Sequence, residues 1–244
     1  MVNWKRPDSV PFPSVWRRFE KKGNDGSIKN YWIQDVVPEY VDTFLDNMET
    51  VFLKDESLCK YSKFLDDPEA VKQFRDFWIN GMKDKLALIC LTTDENGRER
   101  FVGGNMLVIS EKGSKGLEVQ SNSKAFKKVM SVVGYVANAK DVFKELNVEE
   151  YLTAYGLYVM PEFRGQGIGT ELLKARRELC LAVGIKATAT VFTSIVSQRT
   201  ARSAGFQEFV AIDYDDLEKM NPEWSFPGIT TLTKSLKNMY IKFK

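Results

Sequence analysis

The run Val159-Met160-Pro161-Glu162-Phe163-Arg164-Gly165-Gln166-Gly167-Ile168-Gly169-Thr170 constrains this chain more than any other segment. It joins an apolar stretch, residues 152–160, that reads as a strand to one with Ile168, Leu172, Leu173, Leu179 and Val183 at helical spacing. The alternating glycines Gly165, Gly167 and Gly169 allow a tight turn and bring successive N–H groups to one point. The helix that follows adds its unpaired first-turn N–H groups and the positive end of its dipole. Arg164 adds a cation suited to a phosphate oxygen. A strand, loop and helix of this kind make a pyrophosphate cradle. Spacing excludes two other cradles. A Walker loop needs a lysine where Gly169-Thr170 has none, and a dinucleotide fingerprint runs G-x-G-x-x-G rather than G-x-G-x-G.

The flanking sequence supplies the rest of one α/β domain around a mixed sheet. Residues 31–37 read as a first strand, stopped by Pro38, and Val41, Phe44, Leu45, Met48, Val51 and Phe52 follow at helical spacing. A second helix starts near Pro68. Two apolar runs, 86–92 and 101–109, flank Asn96-Gly97 and read as a hairpin. Phe126 to Val136 and Val142 to Leu146 form a helical insertion at about 111–150. After the glycine helix, Gly184 suits a C-cap, 186–192 a strand, Ser194 an N-cap, and 206–212 and 239–243 further strands. Residues 1–29, rich in Pro, Gly and charge, read as an N-terminal extension wrapping a domain at 30–244.

Composition removes several functions. With 35 basic and 33 acidic residues the charge is only +2, which speaks against nucleic acid. The absence of histidine removes His-based triads and the commonest zinc ligand, so no metal is expected. The three cysteines, Cys59, Cys90 and Cys180, are far apart and read as buried thiols; Cys180 is a poor nucleophile without a histidine to activate it. No signal peptide or membrane-length apolar run is visible, so a soluble, cytoplasmic protein, monomeric and without membrane partners, is expected.

Arg164, Gly167 and Gly169, with Gly205-Phe206 closing a later helix, resemble the GNAT superfamily of acyl-CoA N-acyltransferases. The resemblance implies a splayed strand whose Leu157, Tyr158 and Val159 line the pantetheine arm of acetyl-CoA. It implies a phosphate site at Arg164, Gly165, Gln166, Gly167, Ile168, Gly169 and Thr170. Asp55-Glu56-x-Leu58, the helical insertion and Thr193-Ser194-x-x-Ser197 resemble the insect arylalkylamine N-acetyltransferases, beside which stand polyamine and agmatine enzymes. A small-molecule amine is the substrate this implies.

Amide formation requires an amine that has lost its proton, a stabilised oxyanion and a protonated leaving thiolate. Without histidine the base is Asp, Glu or a water held by one of them. Glu39 in Pro38-Glu39 matches the catalytic glutamate of the insect enzymes, with Asp35 and Asp42 as rivals; helix-start stabilisation is its ordinary alternative. Many superfamily members carry a tyrosine four residues before the Gly-Phe glycine, and Ala201 departs from that pattern. Ser197 matches one serine of the insect branch and Thr193 replaces the other, although capping is what such residues usually do. The oxyanion donor implied is the Val159 N–H. A silent acetyl-CoA-binding protein and a peptide N-acetyltransferase remain alternatives. Tyr40, Phe44, Asp42 and Asp46 are candidates for the amine pocket.

Overall fold

The turn at Asn96-Gly97 does join two antiparallel strands in a computed structural model of the chain, which describes residues 4–22, 26–114 and 121–244. Gly97 takes φ +74°, and Asp94 Oδ1 accepts the Asn96 and Arg98 N–H groups at 2.8 and 2.9 Å. The strands are β1 (Val15–Lys22), β2 (Ile28–Asp35), β3 (Leu88–Thr93), β4 (Glu99–Glu111), β5 (Glu150–Val159), β6 (Ala187–Phe192), β7 (Gln207–Asp213) and β8 (Ser235–Lys242). They form one eight-stranded sheet in the order β1-β2-β3-β4-β5-β6-β8-β7. β5 and β6 are parallel and the other neighbours antiparallel, so the sheet is mixed as expected.

Helices cover both faces. α1 (Val41–Asn47) starts from a 3-10 turn at Pro38–Tyr40 and continues through a π turn, Met48–Phe52. It packs with α2 (Pro68–Met82) and α3 (Lys124–Asn138) on a core of Phe44, Met48, Phe74, Trp78 and Val129. α4 (Val142–Leu146) follows α3. The opposite face is closed by α5 (Ile168–Val183), whose Leu172, Ala175 and Leu179 meet Ile33, Leu88, Cys90 and Leu107. Period-2 alternation explains the split, since Ile89 and Leu91 of the same β3 face the first core. α6 (Ile195–Ser203) and α7 (Tyr214–Met220) complete the chain, and α7 was not expected from the sequence.

The N-terminal segment departs from the expectation of a surface wrap. β1 pairs with β2 as the edge strand, and Trp16 and Phe19 join the α5 core. Its charges, in Val15-Trp16-Arg17-Arg18-Phe19-Glu20-Lys21-Lys22, are tolerated because an edge strand is half solvated. The chain before it is pinned by Arg6, which donates to Asp35 Oδ2 at 2.9 Å and to Lys85 O at 2.7 Å. The strand expected at 31–37 is therefore the second, and it ends at Asp35. Parts of both expected segments, 1–3 and 23–25 of the extension and 115–120 of the insertion, lie outside the described residues.

Candidate active site

The site starts from a fault in the sheet. Asn105 pairs with Leu157 but Leu107 pairs with Ala154, so β5 carries one extra residue at Tyr155-Gly156. Gly156 holds φ +140°, a conformation side chains resist. β5 and β6 pair only at Leu152↔Thr188 and part beyond it. Two buried side chains satisfy carbonyls that the fault leaves without a strand partner. Trp78 Nε1 donates to Tyr155 O at 2.9 Å, and Asn105 Nδ2 to Gly156 O at 2.7 Å. Between the parted strands lies a cavity of about 810 Å³. That is near the top of the range of roughly 300–1,000 Å³ for small-molecule sites.

Leu157, Tyr158 and Val159 line this cavity along β5. The Tyr158 ring is buried against Phe44, with centroids 5.7 Å apart, so its backbone is the part that a ligand arm can use. Arg164, Gly165, Gly167, Ile168, Gly169 and Thr170 line the mouth. Gly165 and Gly167 take φ +77° and +75°, which turns the loop onto the start of α5. Gln166 is absent from the lining; its side-chain oxygen accepts the Tyr31 hydroxyl at 3.2 Å. Arg164 donates to Val159 O at 3.0 Å and to Asp55 Oδ2 at 2.6 Å, which fixes its guanidinium at the loop. The ion pair is half exposed, so it adds little to stability. The residues present fit a CoA pyrophosphate and arm.

The hydroxyls of Thr193, Ser194 and Ser197 line the same cavity. Thr193 Oγ1 donates to Glu56 Oε1 at 2.5 Å, and Glu56 Oε2 accepts the Cys59 N–H at 2.7 Å. Tyr214 OH donates to Thr193 O at 2.8 Å and fixes its backbone. Ser194 and Ser197 form a capping box on α6: Ser197 N donates to Ser194 Oγ at 3.1 Å and Ser194 N to Ser197 Oγ at 3.2 Å. Ser197 thus caps the helix and lines the cavity at once. Glu56 is the site residue that sequence reasoning missed. In the sequence it stands only within Asp55-Glu56-x-Leu58, and nothing local indicates that it meets Thr193.

Other candidates lie elsewhere. Glu39 is exposed on the 3-10 turn after β2 and is not among the residues lining this cavity. Asp35 is fully buried, and Trp16 Nε1, Ser14 N and Arg6 occupy its oxygens at 2.7, 2.8 and 2.9 Å, which makes it an anchor of the N-terminal segment. Asp42 is exposed, Tyr40 bonds Glu99, and Asp46 accepts from Arg75, so none of these three lines the cavity. All three cysteines are buried; burial pushes the Cys180 thiol up to about 12, which suppresses its nucleophilic thiolate. Among the described residues, no group of three or more Cys, Asp or Glu could hold a metal, and no helix is long and apolar enough to cross a membrane.

A parted parallel strand pair with a glycine loop below it defines an acyl-CoA N-acyltransferase site, and the comparisons agree. Residues 127–206 match the model of the acetyltransferase (GNAT) family. A solved structure described as "insect putative arylalkylamine N-Acetyltransferase 7", from the yellow fever mosquito Aedes aegypti, is 34% identical with a TM-score of 0.92, covering 98% of this chain and 99% of that one. The chain belongs to the GNAT family and is an acetyl-CoA-dependent N-acetyltransferase. Arylalkylamine N-acetyltransferase 2 of Aedes aegypti shares the fold at 21% identity and TM-score 0.73, over 88% of this chain and 99% of that one. So does a Drosophila melanogaster polyamine N-acetyltransferase that forms N-acetylagmatine, at 16% identity and TM-score 0.68, over 87% and 100%. Curated proteins gave no match.

Proposed function

We propose that this chain acetylates the primary amine of a small arylalkylamine such as tyramine, dopamine, serotonin or tryptamine, by direct attack within a ternary complex. The observation that carries the reading is the cavity wall: Phe52, Phe74, Val129 and Val133 offer apolar and aromatic surface, with the Glu56 carboxylate beside them. An aryl ring suits the first and an ammonium the second. A polyamine needs a second free carboxylate; Asp55 also lines the cavity, but Arg164 already pairs with it.

Bound acetyl-CoA supplies the activated thioester. The loop from Arg164 to Thr170 holds its phosphates, and the backbone of Leu157, Tyr158 and Val159 holds its arm, with the Val159 N–H toward the acyl oxygen. An alkylammonium ionises near 10, so a base must take its proton. Glu39 is assigned that task through a water. Its support is the resemblance of Pro38-Glu39 to the catalytic glutamate step of the insect enzymes. The residue lies outside the cavity wall, on the 3-10 turn that leads into the helix whose Phe44 packs on Tyr158 of β5. Ser197, and Thr193 beside Glu56, hold the proton that returns to the thiolate.

Thiol release measured with acetyl-CoA and tyramine, tryptamine, agmatine and spermidine tests the substrate class. Higher kcat/KM for the aryl amines is expected. Turnover of a peptide N-terminus with none of the four amines, or a preference for agmatine or spermidine, would overturn it.

A further inference from the structure

At the point where β5 and β6 part lies a charge that the acetyl-transfer chemistry above does not use. Arg176, two turns into α5, is only 1% exposed. Its Nε donates to Asn105 Oδ1 at 2.9 Å, and one terminal nitrogen donates to Thr190 Oγ1 at 2.8 Å and Thr188 Oγ1 at 3.3 Å. The other terminal nitrogen is buried without a partner. Among the described residues no carboxylate pairs with the guanidinium; the Cys180 thiol is within its electrostatic reach, and the Phe206 ring lies 5.6 Å from Cζ. Burial lowers its pKa to about 9, a measure of how unfavourable a lone cation is there.

Buried arginines are ordinarily paired with an acid, because an uncompensated charge in a protein interior costs several kcal/mol. Here neutral oxygens alone hold the cation, and they hold it in place. Asn105 bridges it to Gly156 O of β5, while Thr188 and Thr190 belong to β6. The guanidinium therefore spans the root of the opening, and both Arg176 and Thr190 line the cavity. A methyl group gains nothing from such a floor, whereas an electron-rich oxygen completes it.

We propose that Arg176 is an acyl-recognition residue whose free N–H groups bind a negatively polarised oxygen of the donor's acyl group. The inference rests on the acyl-CoA reading of this cavity. Two sources carry that chemistry: the thioester carbonyl of any acyl group, and the distal carboxylate of a dicarboxylic acyl group such as succinyl.

Calorimetric affinities of the whole protein for two ligand pairs separate them. Acetyl-CoA against S-ethyl-CoA, a thioether that lacks the carbonyl, probes the first source; succinyl-CoA against butyryl-CoA probes the second. Wild type is expected to favour the oxygen-bearing member of at least one pair by ten-fold or more. Arg176→Met is expected to lose that preference. Equal affinities within both pairs in the wild type overturn the proposal with no variant needed, as does a preference that survives in a folded Arg176→Met. Should that variant not fold, Arg176→Lys, a cation of shorter reach, is expected to cut the preference at least three-fold, and an unchanged one overturns the proposal. Free CoA has no acyl group and isolates the underlying reading. If CoA itself does not bind, the acyl-CoA site is wrong and the inference falls with it; if CoA binds and no pair is discriminated, the inference alone falls.

Discussion

Gly156→Ala strikes the feature that opens the sheet. The residue sits at φ +140°, and a Cβ built there would come within 2.2 Å of Met48 Cε, with Met48 Sδ and Phe52 Cε1 at 3.3 and 3.4 Å. Holding a non-glycine residue in that backbone region costs about 1–3 kcal/mol. Overpacking costs about 1–3 kcal/mol more, toward the low end because the methionine end can swing aside. A loss of about 2–4 kcal/mol is expected, well beyond the ~1 kcal/mol of an ordinary substitution. The chain can escape the strain only by reverting β5 to regular pairing, which removes the acceptors of Trp78 and Asn105 and closes the opening. Affinity for CoA is therefore expected to fall at least ten-fold, about 1.4 kcal/mol. Urea unfolding and calorimetry measure the two effects. Gly134→Ala is the control: no heavy atom lies within 4 Å of its Cβ, and it stands inside α3. There alanine is expected to stabilise by roughly 0.5–1 kcal/mol. If Gly156→Ala matches wild type in both stability and CoA affinity, the account of how this sheet opens is wrong.

Gly167→Val places a β-branched residue at φ +75°, which refolds the loop; acetyl-CoA binding is expected to vanish in calorimetry while the fold survives by circular dichroism. Glu39→Gln is expected to lower kcat by about 10²–10⁴-fold with acetyl-CoA affinity intact, and to flatten the ascending limb of the pH–rate profile. Glu56→Gln retains an oxygen that can accept the Thr193 hydroxyl, so a smaller loss is expected. The reverse order of the two losses, read in the same assay, would move the base from Glu39 to Glu56.

What the sequence determined by itself is local in origin. The glycine spacing at Gly165, Gly167 and Gly169, the turn at Asn96-Gly97, the Gly184 C-cap at φ +81° and the Ser194 cap each depend on a few neighbouring residues. Their backbone needs are met or refused within one turn, so they are legible without a fold. The edge strand β1 was not, because its identity comes from pairing with β2 and from Trp16 and Phe19 reaching the α5 core, not from its charged pattern. Glu56 and Thr193 stand 137 residues apart and meet only in the folded chain, where the residue that follows β6 reaches the N-cap of the short helix Ser57–Tyr61. Arg176 reads locally as one more charge beside Arg177 and Glu178. Only the packing of α5 beneath the parted strands buries it without an acid. Contacts of this kind arise when distant elements share one interior, where burial and the need to satisfy every polar group decide which side chains face a ligand.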